Sequence, residues 1–143
     1  MHERPPGTPM SDPKHQNVIA VVNSNEDTVE MLRNCLQLHG FTSIVTGHIH
    51  DFKTGVEDFP GFVAQHDPTV LVYDISIPYD RNWTFLRLLL DTDAMRGRKV
   101  VLTTTNKERL EELVGPTEAI EIVGKPYDLE RIVGAVKAAI GVS

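Results

Sequence analysis

The stretch VLVYDISIP, residues 70–78, decides the fold. It begins with an unbroken apolar run, which is typical of a strand covered on both faces in a parallel sheet rather than of a strand with one face in water. The run ends at Asp74, and Pro78 closes the stretch. Ligands bind at the carboxyl ends of the strands in such sheets, so Asp74 is also the first candidate for chemistry.

Similar apolar runs recur along the chain and alternate with segments of helical period. The predicted strands are 17–22, 43–46, 70–73, 99–103 and 120–123, and the predicted helices are 25–39, 80–90, 106–114 and 128–140. The least regular stretch is 47–66, which Pro60 and Gly61 interrupt. The alternation predicts an α/β chain whose five-stranded parallel sheet is doubly wound into a flavodoxin-like three-layer sandwich.

Composition limits the class of protein. The 143 residues have a formal net charge of −6 and are 41% hydrophobic, as expected of one folded domain and not of a nucleic-acid or anionic-membrane surface. The single cysteine, Cys35, rules out an internal disulfide. No apolar run approaches the ~18 residues of a membrane span, so a cytoplasmic location is expected. Residues 1–16 contain four prolines and almost no aliphatic residues, which predicts a flexible tail before a domain at 17–143.

Polar residues follow the predicted strands. Asn23 and Ser24 follow the first, Asp74 the third, Thr103 ends the fourth, and Lys125 follows the fifth. A carboxylate, a hydroxyl and an ammonium at one edge of a sheet are suited to holding a phosphoryl group. The carboxylate is the nucleophile, the hydroxyl donates to a phosphoryl oxygen, and the ammonium neutralises developing charge.

Three segments in order resemble the response-regulator receiver (CheY-like) family. They are VLVYDISIP at 70–78, VVLTTT at 100–105 and VGKPYDLERI at 123–132, and the resemblance covers roughly residues 17–141. It implies that Asp74 is the phosphoacceptor, that Thr103 senses the phosphoryl group, and that Lys125 is its cationic partner. It also implies a cis peptide bond between Lys125 and Pro126.

The resemblance implies a Mg²⁺ site that this sequence only partly provides. The family's ligands are an acidic pair after the first strand, the phosphoacceptor carboxylate, here Asp74, and the backbone carbonyl two residues beyond it, here that of Ser76. The acidic pair aligns with Asn23 and Ser24, which are neutral. Mg²⁺ prefers carboxylate oxygens, so the expected metal site is weak. The missing acids favour a degenerate or weakly phosphorylated receiver.

Two further positions depart from the family pattern. Ile122 stands where the family has an aromatic switch residue, so no ring is available to couple to the Thr103 hydroxyl. The Asp-Gly pair that commonly follows the phosphoacceptor motif is replaced by Arg81-Asn82. Arg81 is placed either to neutralise a phosphoryl group or to act as a permanent counter-ion to Asp74, and the sequence does not decide between these.

The leading interpretation is a single-domain response regulator in a two-component phosphorelay. A sensor histidine kinase or a phosphotransfer protein would phosphorylate Asp74, and no enzymatic activity is expected beyond self-phosphorylation and dephosphorylation there. Three residues follow the last predicted helix, so we expect output by contact with a downstream protein, with a homodimer as a further option and no nucleic-acid or membrane partner.

Two alternatives stay open. The first is a degenerate pseudo-receiver that acts as a phosphorylation-independent interaction module. The second, less favoured, is a flavodoxin-like protein that binds a small ligand. Such a protein needs a phosphate-binding loop after the first strand, whereas the loop here, Asn-Ser-Asn-Glu-Asp at 23–27, has no glycine and two acids. No cofactor-binding residues are therefore assigned.

Overall fold

Five parallel strands form one sheet in the computed structural model, which describes residues 17–123 and 125–141, except for the side chains of 126 and 127. The elements in chain order are β1 (Ile19–Asn23), α1 (Glu26–Leu38), β2 (Ile44–His48), α2 (Ile49–Thr54), α3 (Phe59–His66), β3 (Val70–Ile75), α4 (Tyr79–Leu90), a 3₁₀ turn (Asp93–Met95), β4 (Lys99–Thr104), α5 (Lys107–Val114), β5 (Ile120–Glu121) and α6 (Pro126–Ile140). The tail predicted at 1–16 lies outside the described residues.

The strand order is β2-β1-β3-β4-β5, and every neighbouring pair is parallel. This confirms the predicted doubly wound sheet. The chain first adds β2 on one side of β1 and then places β3 on the other side. The order therefore reverses between β1 and β3, and their carboxyl ends border the crevice in which such folds bind ligands.

The core lies in two layers, one on each face of the sheet. All six residues of β3 are buried, as the unbroken apolar run predicts. Leu71 and Tyr73 belong to the apolar cluster beneath α2, α3, α4 and α5, whereas Val70 and Val72 belong to the cluster beneath α1 and α6. The side chains alternate between the faces because successive residues of a strand point in opposite directions.

The irregular stretch after the second predicted strand forms more structure than its pattern indicates. β2 continues to His48, and α2 and α3 follow it. Gly47 lies where a Cβ atom would come within 2.9 Å of the Phe52 ring, so the close approach of α2 to β2 requires glycine there. Gly55 ends α2 with a φ of 80°, in the left-handed region that glycine adopts without strain.

Strand ends also differ from the prediction. β1 includes Asn23, and β3 and β4 each continue past the predicted ends, whereas β5 is only two residues long. β5 pairs through Ile120 with Thr103 and through Glu121 with Thr104. Within the described residues, no helix is both long enough and apolar enough to cross a membrane.

Candidate functional site

Asp74 and Thr103 lie together at the carboxyl edge of the sheet. They are register partners on β3 and β4, and the Thr103 hydroxyl donates a hydrogen bond of 2.8 Å to Asp74 Oδ1. Asp74 is 6% exposed and Thr103 is fully buried. Burial raises the pKa of the Asp74 carboxyl above its ordinary value, and the hydrogen bond from Thr103 acts in the opposite direction.

The next residue on β4 makes a second cross-strand bond. The Thr104 hydroxyl donates to the backbone carbonyl of Ile75 over 2.8 Å, and Thr104 is also fully buried. Consecutive residues of a strand face opposite sides of the sheet. The two threonines therefore join β4 to the end of β3 on both faces.

Lys125 follows β5 and is the N-terminal cap residue of α6. Lys125 is exposed to solvent. The buried Asp128 carboxylate fixes the backbone of this turn, because its Oδ2 accepts hydrogen bonds from the N–H groups of Val123, at 2.8 Å, and Lys125, at 3.1 Å. The bond between Ile77 and Pro78 is cis. The cis bond expected before Pro126 stays a prediction.

The two neutral residues after the first predicted strand have different environments. Asn23 is 3% exposed, and its Oδ1 accepts a hydrogen bond of 2.9 Å from the backbone N–H of Asn25. Ser24 is exposed. The Asn25 side chain in turn caps α1 by accepting from the N–H of Thr28 over 3.0 Å. The side chains of Asn23 and Ser24 therefore bring no charge to the crevice, and the Asn23 side-chain oxygen is already used in a local hydrogen bond.

Asn82 occupies the other side of the crevice, next to the Ser76 carbonyl. It lies in the first turn of α4, is 6% exposed, and donates from Nδ2 to the Ser76 carbonyl oxygen over 2.7 Å. Its Oδ1 accepts a hydrogen bond from Nζ of Lys53, an exposed residue of α2. The sequence patterns did not identify Lys53 or Asn82 as site residues. The only indication was an asparagine in place of the family's glycine.

The donor set does not fit a divalent metal ion. Asn23 and Ser24 carry no charge, the Asn23 oxygen already accepts a hydrogen bond, and the Ser76 carbonyl accepts one from Asn82. Across residues 17–123 and 125–141, no group of three or more His, Cys, Asp or Glu side chains is arranged to hold a metal. Asp74 is then the one carboxylate among the predicted ligands, so this site attracts Mg²⁺ less than a site with the family's acidic pair would.

Arg81 and Ile122 complete the set of predicted positions. Arg81 is exposed at the start of α4, and within the described residues no ion pair joins it to Asp74, so it is not a permanent counter-ion of that carboxylate. Ile122 is half-buried and packs against the apolar cluster beneath α1 and α6. The position of the family's aromatic switch is therefore part of the core.

Known proteins share this sequence pattern and fold. The chain is 23% identical over 128 residues to the polar-differentiation response regulator DivK of Brucella anthropi, a match that covers 86% of this chain and 95% of that protein. It matches no protein-family model. This match and the strand order of the sheet support a CheY-like receiver domain. The similarity to a response regulator indicates a role in two-component signalling.

Solved structures agree on the fold. A two-component transcriptional regulator AraC from Clostridium phytofermentans superposes with a TM-score of 0.61 at 19% identity and covers 87% of this receiver and 92% of its own chain. A sensor protein from Polaromonas sp. superposes with a TM-score of 0.62 at 18% identity and covers 87% and 96%. At these identities the superpositions support the receiver fold and say nothing further about function.

Proposed function

We propose that this receiver accepts a phosphoryl group on Asp74 and passes the signal on by contact with another protein. The observation that supports this most is the position of Asp74. Its carboxylate ends a central strand, next to the point where the strand order reverses, and the buried Thr103 hydroxyl is bonded to it. A carboxylate placed there is the nucleophile, and Thr103 is the hydroxyl that meets an added phosphoryl group.

The donor and the receiving protein are proposed by class. The relatives are response regulators and sensor proteins, so the phosphoryl donor is a sensor histidine kinase or a phosphotransfer protein. Lys125 follows β5, which pairs with β4, at the same edge of the sheet, so its ammonium is the group proposed to neutralise charge on the added phosphoryl. Beyond self-phosphorylation and dephosphorylation at Asp74, we assign no catalytic activity.

Acetyl phosphate tests the acceptor role without the kinase. The full chain is incubated with acetyl phosphate and Mg²⁺, and its intact mass is measured. We expect a gain of one phosphoryl group that is absent in Asp74→Asn and retained in Asp80→Asn, because Asp80 is exposed on α4. Modification that persists in Asp74→Asn would assign the acceptor to another residue.

The neutral corner at Asn23 and Ser24 supports a second candidate function. A receiver without its acidic pair can serve as a phosphorylation-independent interaction module. In that case no mass gain occurs with any donor, and Asp74→Asn binds protein partners captured by the wild-type chain equally well. The acetyl phosphate experiment separates the two candidates directly.

A further inference from the structure

Asn82 is hydrogen-bonded in a way that allows one amide orientation. Its Nδ2 donates to the Ser76 carbonyl and its Oδ1 accepts from the Lys53 ammonium. The flipped amide would place its oxygen against the carbonyl oxygen and its N–H groups against the ammonium. Both contacts would be repulsive, so the two partners fix the side chain and Asn82 links the ammonium to the crevice.

Lys53 is held from α4 by a second contact. Its Nζ lies 5.7 Å from the centroid of the Phe85 ring, one turn along α4 from Asn82. A cation over an aromatic face is attracted by the electrons of the ring. The ammonium of an otherwise exposed lysine is therefore fixed at two points, two hydrogen bonds away from the Ser76 carbonyl.

The small number of carboxylates at the predicted metal positions is consistent with a lysine as the cation there. Asn23 and Ser24 supply no negative charge, so Asp74 is the one carboxylate among the positions that hold the metal in the family. Lys53 and Lys125, the cation proposed for the phosphoryl group, already supply positive charge there, and a divalent ion would add more beside a single carboxylate. The predicted metal positions therefore attract a divalent ion weakly, whereas the Lys53 ammonium is held beside them by Asn82.

We propose that Lys53, positioned by Asn82, is the cation of the acceptor site in place of a divalent metal, so that Asp74 is phosphorylated without Mg²⁺. This inference rests on the proposed function of Asp74. A carboxylate oxygen of Asp74 forms a bond to the phosphorus of acetyl phosphate, the bond from phosphorus to the acetyl oxygen breaks, and acetate leaves with the electron pair. Lys53 stabilises the negative charge on the transferring group.

The test compares the phosphorylation rate of the full chain in EDTA with the rate in Mg²⁺. We expect equal rates for the wild type in both and a loss of about tenfold or more in Lys53→Met, which keeps the apolar stem and removes the charge. Lys99→Met is the matched control, because Lys99 is exposed at the amino end of β4, away from the crevice. It should react like the wild type.

Asn82 acts through Lys53, so it is a positioning residue with its own test. Asn82→Ala should slow phosphorylation in EDTA by no more than Lys53→Met does, and the double variant should be no slower than Lys53→Met, since two residues that act as a unit do not add. Equal and additive losses would show that Asn82 has a separate role. Far-UV circular dichroism checks that each variant is folded.

Each other outcome is decisive. Phosphorylation that requires Mg²⁺ overturns the inference and leaves the proposed function of Asp74 standing. No phosphorylation in either buffer overturns both. An unchanged rate in Lys53→Met removes the role of Lys53. Independently of phosphorylation, titration with Mn²⁺ should leave the amide NMR signals of Asp74 and Ser76 sharp, and selective broadening there would also overturn the inference.

Discussion

The buried carboxylate of Asp74 destabilises the folded receiver at neutral pH. Because burial raises its pKa above the ordinary value of 3.8, the folded chain binds a proton more readily than the unfolded chain as the pH falls. The energetic cost is fully present above the folded pKa and is relieved as the pH falls through it towards 3.8. The proposed acceptor position is thus occupied by a group whose charge opposes folding.

Asp74→Asn is therefore expected to stabilise the protein. The amide oxygen still accepts the Thr103 hydroxyl, and no charge is buried. Urea unfolding should give the variant a higher free energy of unfolding than the wild type at pH 7, and the difference should shrink as the pH falls towards 3.8. Asp27→Asn, at an exposed position on α1, is the control. A difference that is constant with pH would contradict the assignment to Asp74.

The sequence predicts those site residues that directly follow or end a strand, because the order of the strands is enough to locate them. Asp74 and Thr103 follow buried runs that lie side by side, so the carboxyl-edge rule brings them together. Lys53 and Asn82 lie on different helices and are 29 residues apart in sequence. Neither carries a periodic signal, and their contact depends on how α2 packs near α4, which propensity and spacing do not encode.

At the scale of elements, α6 begins where Asp128 fixes the preceding turn. Its carboxylate is 2% exposed and accepts from the two N–H groups of Val123 and Lys125. Asp128→Ala leaves both donors without this partner and should lower the free energy of unfolding by about 1–3 kcal/mol.

Urea unfolding measures that loss. The matched control is Asp27→Ala, which removes an exposed acid from the first turn of α1 and should cost at most about 1 kcal/mol through the helix dipole. Equal losses in the two variants would show that the bonds to Val123 and Lys125 do not anchor α6.

Element boundaries show the limit of sequence patterns. The aliphatic runs located all five strands, because strands buried on both faces need apolar residues at consecutive positions. The residues at 47–66 have no such run and no long amphipathic stripe. α2 and α3 are only six and eight residues long, and their interlocking phenylalanines, Phe52, Phe59 and Phe62, stabilise them through tertiary contacts.

At the scale of the whole molecule, the shared sheet makes the two apolar layers one cooperative unit. Leu32 on α1 is 1% exposed in the layer beneath α1 and α6, whereas Trp83 on α4 packs against the other layer. Leu32→Ala should cost about 2–5 kcal/mol through lost burial and the cavity left behind. Because β1 and β3 contribute to both layers, the substitution should also destabilise the layer around Trp83 on the opposite face of the sheet.

Two probes of urea unfolding measure this coupling. Trp83 fluorescence and far-UV circular dichroism of Leu32→Ala should shift to a lower midpoint together, as one transition. Leu38→Ala, at a position 85% exposed on the same helix, should change the free energy of unfolding by at most about 0.5 kcal/mol. Separate transitions for the two probes would mean that the layers unfold independently.

The adjacent threonines of β4 have separate tasks. The Thr104 hydroxyl bonds to the backbone of β3, whereas the Thr103 hydroxyl bonds to the side chain of Asp74. A group added to Asp74 therefore competes for the Thr103 hydroxyl alone, which turns about its own χ1 bond while Thr104 keeps the strands in register. Phosphorylation at the proposed acceptor, Asp74, would then need only a side-chain rotation and no sliding of the sheet.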